Sequence, residues 1–295
     1  MNSAYTVDNA REGARWMIER AAAARRADLD SLFIGDDHVT SGPYYQNVPM
    51  LARMLADWGD RVAGALFVLP LWNPVLVAEQ VSTLAAIHEG RFIIQCAIGR
   101  GDPTSSAMGV NPKFRPSMLE ESLDIVQRLL RGETVSSEGR FHIKNAHIAP
   151  LPPEPVEVWL SGTMSTSIDR VARLGDGWLG DPWDGLDGLA AQAAEYNEKV
   201  QVYHRTPTAL AVRRNIFVGK TDEDAARVVD PMLAGLRGGP TSILYGSPET
   251  VARQIKSLAD LGFTDIIARS LVNDQRQTLD SIERMAEVRE RVRDF

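Results

Sequence analysis

The segment Gly35-Asp-Asp-His-Val places two carboxylates beside the imidazole of His38. A histidine in such a place can give or take a proton near neutral pH, so His38 is a candidate acid or base. The alternative is that Asp36 and Asp37 cap a turn and that His38 lies half-exposed without a chemical role. The sequence alone leaves both interpretations open.

A second segment, Ile98-Gly-Arg-Gly-Asp, combines two glycines with a carboxylate. Gly99 and Gly101 would allow the backbone to approach a flat ligand closely, because neither carries a side chain. Asp102 is then a second candidate for moving a proton. The alternative is an ordinary turn, since Asp102 directly precedes Pro103.

A third segment, Ser161-Gly-Thr-Met-Ser-Thr-Ser, lies between a predicted strand and a predicted helix. The free N–H groups at a helix start suit a phosphate, and the hydroxyls of Thr163, Ser165 and Thr166 add donors. The competing interpretation is N-capping, which needs only one hydroxyl. The surplus of hydroxyls beside Gly162 favours the phosphate.

Other chemistries lack the residues they need. The five histidines show no spacing typical of a zinc site, and the chain has a single cysteine, Cys96, so no metal is expected. Neither a Gly-x-Ser-x-Gly nucleophile elbow nor a Walker-type Gly-Lys-Ser loop occurs, which argues against serine hydrolases and P-loop enzymes. In Gly175-Asp-Gly-Trp, Asp176 is expected to fix a tight turn and Trp178 to pack.

The elements that must position these residues alternate along the chain. Short apolar runs predict seven strands, at residues 31–35, 62–68, 91–98, 156–160, 177–179, 210–218 and 265–269. Amphipathic patterns predict helices at residues 10–27, 49–57, 74–87, 118–131, 165–174, 186–203, 222–234 and 248–261. This order predicts a parallel α/β sheet, and the nearly all-apolar strands favour a TIM-type (β/α)8 barrel.

Two segments depart from a regular barrel. The first strand is weak or missing, because residues 3–7 are polar and the first clear element is already a helix. Residues 132–155 are expected to form an insertion outside the barrel, with one arm of a hairpin around Arg140 to Ile143.

Length and composition set broad limits. The 295 residues fit one large domain, so a single domain over residues 1–295 is expected. The formal net charge of -7 disfavours nucleic acid and anionic membranes as partners, so a small molecule is expected. No leader or 18-residue apolar run is apparent, which predicts a cytoplasmic protein, and a homodimer is the expected assembly.

Taken together, the motifs resemble those of the luciferase-like monooxygenase superfamily of flavin- and F420-dependent oxidoreductases. The resemblance covers about residues 14–267 and is closest to the F420-dependent branch. The motifs that carry it, in the order of that family, are Asn73-Pro-Val-Leu-Val-Ala-Glu-Gln, Gly90-Arg-Phe, Ile98-Gly-Arg-Gly-Asp, Ser161-Gly-Thr, Gly175-Asp-Gly-Trp and Gly246-Ser-Pro-Glu-Thr-Val-Ala.

This resemblance implies a barrel that holds coenzyme F420, or alternatively FMN, at its C-terminal mouth. Asp37 and His38 match the Asp–His pair of deazaflavin-dependent dehydrogenases, in which the histidine accepts a proton beside the reactive ring. Asp102 falls where that group carries an acidic residue. Where relatives that oxidise sugar phosphates carry an aromatic residue, this chain has Gly42, which argues against a sugar-phosphate substrate.

The resemblance also implies further cofactor contacts. Thr163, Met164 and Ser165 fall on the helix start that holds the cofactor phosphate in the family. A segment of the second predicted strand falls where the family often has a non-proline cis peptide that supports the ring, a strained feature. That segment is Ala65, Leu66 and Phe67.

Three functions therefore stay open. The first is hydride transfer between a small organic substrate and coenzyme F420, with His38 moving the proton and Asp102 assisting. The second is a two-component monooxygenase that uses reduced FMN, oxygen and a separate flavin reductase. The third is a cofactor-binding barrel without turnover, against which a perturbed pKa of His38 would weigh.

Overall fold

A computed structural model of the chain describes residues 9–180, 182–236 and 238–293. The helices in these ranges are α1 (Ala10–Arg26), α2 (Asn47–Trp58), α3 (Pro74–Ile87), α4 (Thr104–Ala107), α5 (Arg115–Leu130), α6 (Ser165–Leu174), α7 (Leu186–Val202), α8 (Asp222–Leu233), α9 (Pro248–Ala259) and α10 (Gln275–Val292). The strands are β1 (Ser31–Ile34), β2 (Val62–Val68), β3 (Phe92–Ala97), β4 (Val135–Glu138), β5 (His142–Ala146), β6 (Glu157–Ser161), β7 (Gly177–Gly180), β8 (Ala209–Val218), β9 (Ile243–Gly246) and β10 (Asp265–Ser270).

The predicted strand–helix alternation is confirmed. Every predicted strand and helix occurs, and the largest shift of an end is at α5, which begins at residue 115 instead of 118. One further strand, β9, was not predicted, and it pairs in parallel with β8. The weak first strand at residues 3–7 lies outside the described residues. The parallel pairing of successive strands confirms the predicted α/β class.

The chain divides into two compact units. The first unit contains Ser31–Val158, and the second contains Arg11–Asp30 and residues 159–293. The prediction of a single domain over residues 1–295 stays a prediction.

In the first unit, β1, β2 and β3 form a parallel sheet in this order. The register pairs Ile34 with Ala65, and Ala65 with Ile94. Because the strands are parallel and adjacent, their carboxyl ends lie along one edge of the sheet. The loops that follow β1, β2 and β3 therefore begin beside one another.

The predicted insertion forms a hairpin in the first unit. β4 and β5 pair antiparallel, and their apolar side chains pack on α3 and α5. The cluster consists of Ala78, Ile125, Leu129, Val135, Ile143 and Ile148, all less than 9% exposed. Burial of this apolar area holds the hairpin against the two helices.

In the second unit, β6, β7, β8 and β10 are parallel neighbours, and β9 pairs with β8. α1 is tied to the α10 region by polar contacts, in which Arg20 Nε donates to Gln275 Oε1 at 2.7 Å and Arg289 forms ion pairs with Asp28 and Asp30. Among the described residues, no helix is both long enough and apolar enough to span a bilayer.

Candidate active site

Asp36 connects the ends of β1 and β2. Its Oδ2 accepts hydrogen bonds from the backbone N–H of Val68 at 2.8 Å and from Trp72 Nε1 at 2.9 Å. Val68 is the last residue of β2, so the parallel pairing with β1 brings it within reach of the turn after Ile34. The side chain of Asp36 has no exposed surface. Two donors on one oxygen fix the orientation of this buried carboxylate.

His38 lies against the other oxygen of the same carboxylate. Its Nε2 is 3.1 Å from Asp36 Oδ1, and its side chain is 13% exposed. The imidazole also packs edge-on against the indole of Trp72, with ring centroids 5.5 Å apart. The Asp36 carboxylate, 3.1 Å from Nε2, raises the pKa of His38 above its usual value. Burial opposes this shift, and the charge of Asp37 adds to it. The structure therefore contains a carboxylate–imidazole pair of the kind that moves protons.

Asp37 has different partners. Its Oδ2 accepts from Arg100 Nη2 at 3.1 Å, and its Oδ1 accepts from the backbone N–H of His38 at the same distance. Arg100 follows β3, so Asp37 ties the turn after β1 to the loop after β3. The residue that contacts the imidazole nitrogen is thus Asp36, whereas the predicted pair was Asp37 and His38.

The loop after β3 is held by an arginine that sequence analysis did not single out. Gly99 adopts φ +73°, and its carbonyl accepts from Arg115 Nη1 at 2.8 Å. Arg115 Nε also donates to the carbonyl of Pro112 at 3.2 Å. This guanidinium fastens Gly99 to the beginning of α5.

Asp102 is exposed and bonded within its own turn. Its Oδ1 accepts from the hydroxyl of Ser106, four residues later at α4. Gly101 lies in the same loop, and its carbonyl accepts from the N–H of Ser105. These contacts agree with the alternative interpretation of this segment as a turn, and a chemical role for Asp102 stays a prediction.

The expected non-proline cis peptide at Ala65, Leu66 and Phe67 is wrong. The cis peptide bonds among the described residues precede Pro103 and Pro150. All three residues are buried and pair in unbroken register with β3, which keeps the segment in regular extended geometry. Phe67 packs edge-on against Trp72, at 5.6 Å between ring centroids. This part of β2 therefore supports Trp72, whose indole holds Asp36.

The predicted phosphate site lies at the start of α6 in the second unit. Gly162 is buried, and its carbonyl accepts from Trp178 Nε1 at 2.8 Å, so the predicted packing residue Trp178 fixes this turn. Ser167 Oγ accepts from the N–H groups of Thr163 and Met164, at 3.0 and 2.9 Å. Those two N–H groups are therefore already bonded.

The first turn of α6 still offers exposed residues and N–H donors to an anion, as predicted. The side chain of Met164 is exposed, at 70%, as is that of Thr166. The N–H groups of Ser165 and Thr166 stand in the first helical turn, where an α-helix offers no acceptor of its own. The hydroxyl of Ser165, however, donates to the carboxylate of Glu195. An anion would thus meet two N–H groups and a nearby carboxylate at this helix start.

Asp36, Trp72, Arg100 and Arg115 were missed as site residues by sequence analysis. A signal existed for Asp36, because two consecutive carboxylates precede His38 and either could pair with it. A signal existed for Trp72 as well, because it follows β2 and directly precedes Asn73, the N-cap of α3. Neither arginine could be selected, because contacts with Gly99 and Asp37 depend on the path of the loops.

An acid–base pair at the carboxyl ends of parallel strands is typical of α/β enzymes whose active sites lie at that edge. The family model of luciferase-like monooxygenases matches residues 2–243. The chain therefore belongs to the luciferase-like monooxygenase family, as its motifs predicted, and the predicted class of oxidoreductase is confirmed.

The chain is similar to several characterised proteins. It is 25% identical to the F420-dependent glucose-6-phosphate dehydrogenase of Intrasporangium calvum, over 91% of this chain and 92% of that protein. An F420-dependent secondary alcohol dehydrogenase, solved with an F420–acetone adduct, aligns with a TM-score of 0.80 and 17% identity over 97% of this chain and 96% of its own. The oxygenating constituent of 3,6-diketocamphane monooxygenase of Pseudomonas putida, solved with FMN, also aligns with a TM-score of 0.80. The identity is 21%, over 96% of this chain and 94% of that protein. The two structural similarities show the fold.

Proposed function

We propose that this protein transfers hydride between coenzyme F420 and a small organic substrate, with His38 moving the proton. The observation that carries the proposal is the buried pair of Asp36 and His38, whose Oδ1 and Nε2 lie 3.1 Å apart. Hydride transfer to or from carbon needs a matching proton transfer, and an imidazole with a raised pKa supplies a group for it. The likeness to F420-dependent dehydrogenases along most of the chain supports this choice of cofactor.

Two separate parts of the chain carry residues of the kinds that such a cofactor needs. In the second unit, the N–H groups of Ser165 and Thr166 and the dipole of α6 are donors suited to its phosphate. In the first unit, His38 lies at the strand edge where the fold places reactive groups. When bound, the deazaflavin would supply or accept the hydride, and the protein would orient the reactants and move the proton.

The raised pKa of His38 weighs against a barrel without turnover. A buried carboxylate next to a partly buried imidazole raises the pKa of that imidazole, and perturbed pKa values cluster at functional sites. Asp102, with its exposed carboxylate, keeps an assisting role in the proposal. The Asp102→Asn variant is expected to slow the reaction less than His38→Ala.

The test is a single-turnover reaction under anaerobic conditions. Reduced F420 is mixed with the protein and a panel of ketones, aldehydes and conjugated enones, and its re-oxidation is followed optically. Re-oxidation that needs substrate but not oxygen supports the proposal. Re-oxidation that appears only when oxygen is admitted would contradict it, because hydride transfer consumes no oxygen.

A second candidate function is an FMN-dependent monooxygenase. The specific observation in its favour is the TM-score of 0.80 with an FMN-bound monooxygenase, equal to that with the F420-bound dehydrogenase. In this case a separate flavin reductase would be a partner, and His38 would stabilise an oxygen-derived anion. Product formed only with reduced FMN and oxygen would favour this function.

A further inference from the structure

Both carboxylate oxygens of Asp36, in the first unit, have close neighbours. Oδ2 accepts from Trp72 Nε1 and from the N–H of Val68, while Oδ1 faces His38 Nε2. We propose that Asp36 is the positioning residue of this site, which fixes His38 with Nε2 toward the carboxylate and leaves Nδ1 as the atom that transfers the proton. The inference rests on the proposed function for its role in turnover, but its geometry does not depend on the cofactor.

The argument starts from the two nitrogens of imidazole. In the neutral ring only one nitrogen carries a proton, and the hydrogen bond of that nitrogen decides which one it is. A carboxylate accepts but does not donate, so the Asp36 oxygen 3.1 Å away favours the proton on Nε2. The neutral ring then presents Nδ1 as an acceptor, and the charged ring presents Nδ1–H as a donor.

The carboxylate cannot easily turn away from the ring. Rotation would break the bonds from Val68 and Trp72, and it would leave a polar group unpaired inside the protein. Trp72 is itself packed against Phe67 and against the imidazole. The pair is therefore supported on the ends of two strands.

Charged groups around His38 reinforce its charged form. Besides Asp36, the neighbouring carboxylate is Asp37, which is paired with Arg100 and bonded to the backbone of His38 rather than to its ring. The pKa of His38 is raised, and the nearby Asp36 carboxylate is the largest cause. His38 consequently keeps its second proton to a higher pH than free imidazole does.

A charged His38 is suited to donate, which favours substrate reduction. A reduced deazaflavin, when bound, would supply the hydride for the new C–H bond at the substrate carbon and would itself be oxidised by two electrons. His38 would give the proton of Nδ1 to the carbonyl oxygen, and would stay neutral until it takes a proton from water. Asp36 keeps its charge throughout.

The test is a ¹⁵N NMR titration of His38 in the full-length protein without cofactor. We expect the neutral ring to be the Nε2–H tautomer and the titration midpoint to lie above the usual value of about 6.5. In Asp36→Asn the midpoint is expected to fall and the tautomers to mix. In Asp37→Asn, the matched control one residue away, the midpoint is expected to fall less and the tautomer to stay the same.

Two results would overturn the inference. One is a wild-type ring that carries its proton on Nδ1, which decides the matter even if Asp36→Asn does not fold. The other is an equal response of the two Asn variants.

Turnover separates this inference from the proposed function. With F420 and a reducible substrate, Asp36→Asn is expected to lower kcat about 10- to 100-fold with little change in KM, the size of effect known for carboxylates that orient metal-bound imidazoles. As the pH rises, this variant is expected to lose its activity at a lower pH than the wild type does. If F420 does not bind but the NMR results hold, the proposed function fails and the positioning role stands.

Discussion

The carboxylate of Asp36 and the imidazole of His38 form a buried pair, with Oδ1 and Nε2 3.1 Å apart. The neighbouring Asp37 has the same charge and is one residue closer to His38 in sequence, yet it bonds Arg100. The difference follows from the turn after β1, which directs Asp36 toward the end of β2. The account of this protein as an F420-dependent oxidoreductase depends on that pair for its proton transfer.

Replacement of His38 is expected to separate chemistry from binding. His38→Ala should slow hydride transfer about 10²- to 10⁴-fold, the usual contribution of a positioned acid or base. Cofactor affinity should change little, because the proposed phosphate contacts, at the start of α6, do not involve His38. The matched control is His142→Ala on β5, where the side chain is 80% exposed. An equal loss of rate in both variants, measured in single turnover, would remove His38 from the mechanism.

The glycine after β3 is expected to be irreplaceable for steric reasons. Gly99 has φ +73°, and a Cβ there would lie 2.3 Å from Val68 Cγ1. Gly109 has φ +74° but no atom within 4 Å of its Cβ position. Gly109→Ala should therefore lower the free energy of unfolding by about 1–2 kcal/mol, the strain of the left-handed backbone.

Gly99→Ala should cost more than Gly109→Ala, because it adds a clash to the same strain. Chemical denaturation of both variants measures the difference. An equal cost would show that β2 moves away freely, and the fixed position of Val68 beside Asp36 would then be in doubt.

His88 is expected to make stability fall in acid. It is 6% exposed at the end of α3, and burial lowers its pKa below the usual value. The unfolded chain takes up this proton near pH 6.5, whereas the folded chain resists it. The contribution of neutral His88 to the free energy of unfolding is therefore fully present above about pH 6.5. It is lost as the pH falls through the lowered pKa of the folded chain.

The check is the difference in free energy of unfolding between the wild type and His88→Phe, measured from pH 8 to pH 5. The wild type should lose stability relative to the variant as the pH falls. A difference that stays constant with pH would mean that His88 titrates alike in the folded and unfolded chain. Carboxylates common to both proteins cancel in this comparison.

The strands and helices were predictable because their signals are local. β2 is an almost entirely buried run, and α3 begins with Asn73 as N-cap and Pro74 at its first turn. β9 was missed because it has four residues and its Tyr245 is only partly buried, so it resembled the turn before α9.

The site was predictable only in part, because its contacts are distant in sequence. His38 could be selected from its neighbours, but the choice between Asp36 and Asp37 could not be made locally. It depends on Trp72, 36 residues after Asp36, and on Arg100, 63 residues after Asp37. Strand order brings these residues together, and a sequence pattern does not report the direction of a turn.

The most direct test of the F420-dependent account is a parallel titration of the purified protein with F420 and with FMN. Ring fluorescence reports binding, and His38→Ala serves as the control that should still bind. The account predicts saturable, tight binding of F420 and much weaker binding of FMN. Tight binding of FMN alone, or of neither, would contradict it.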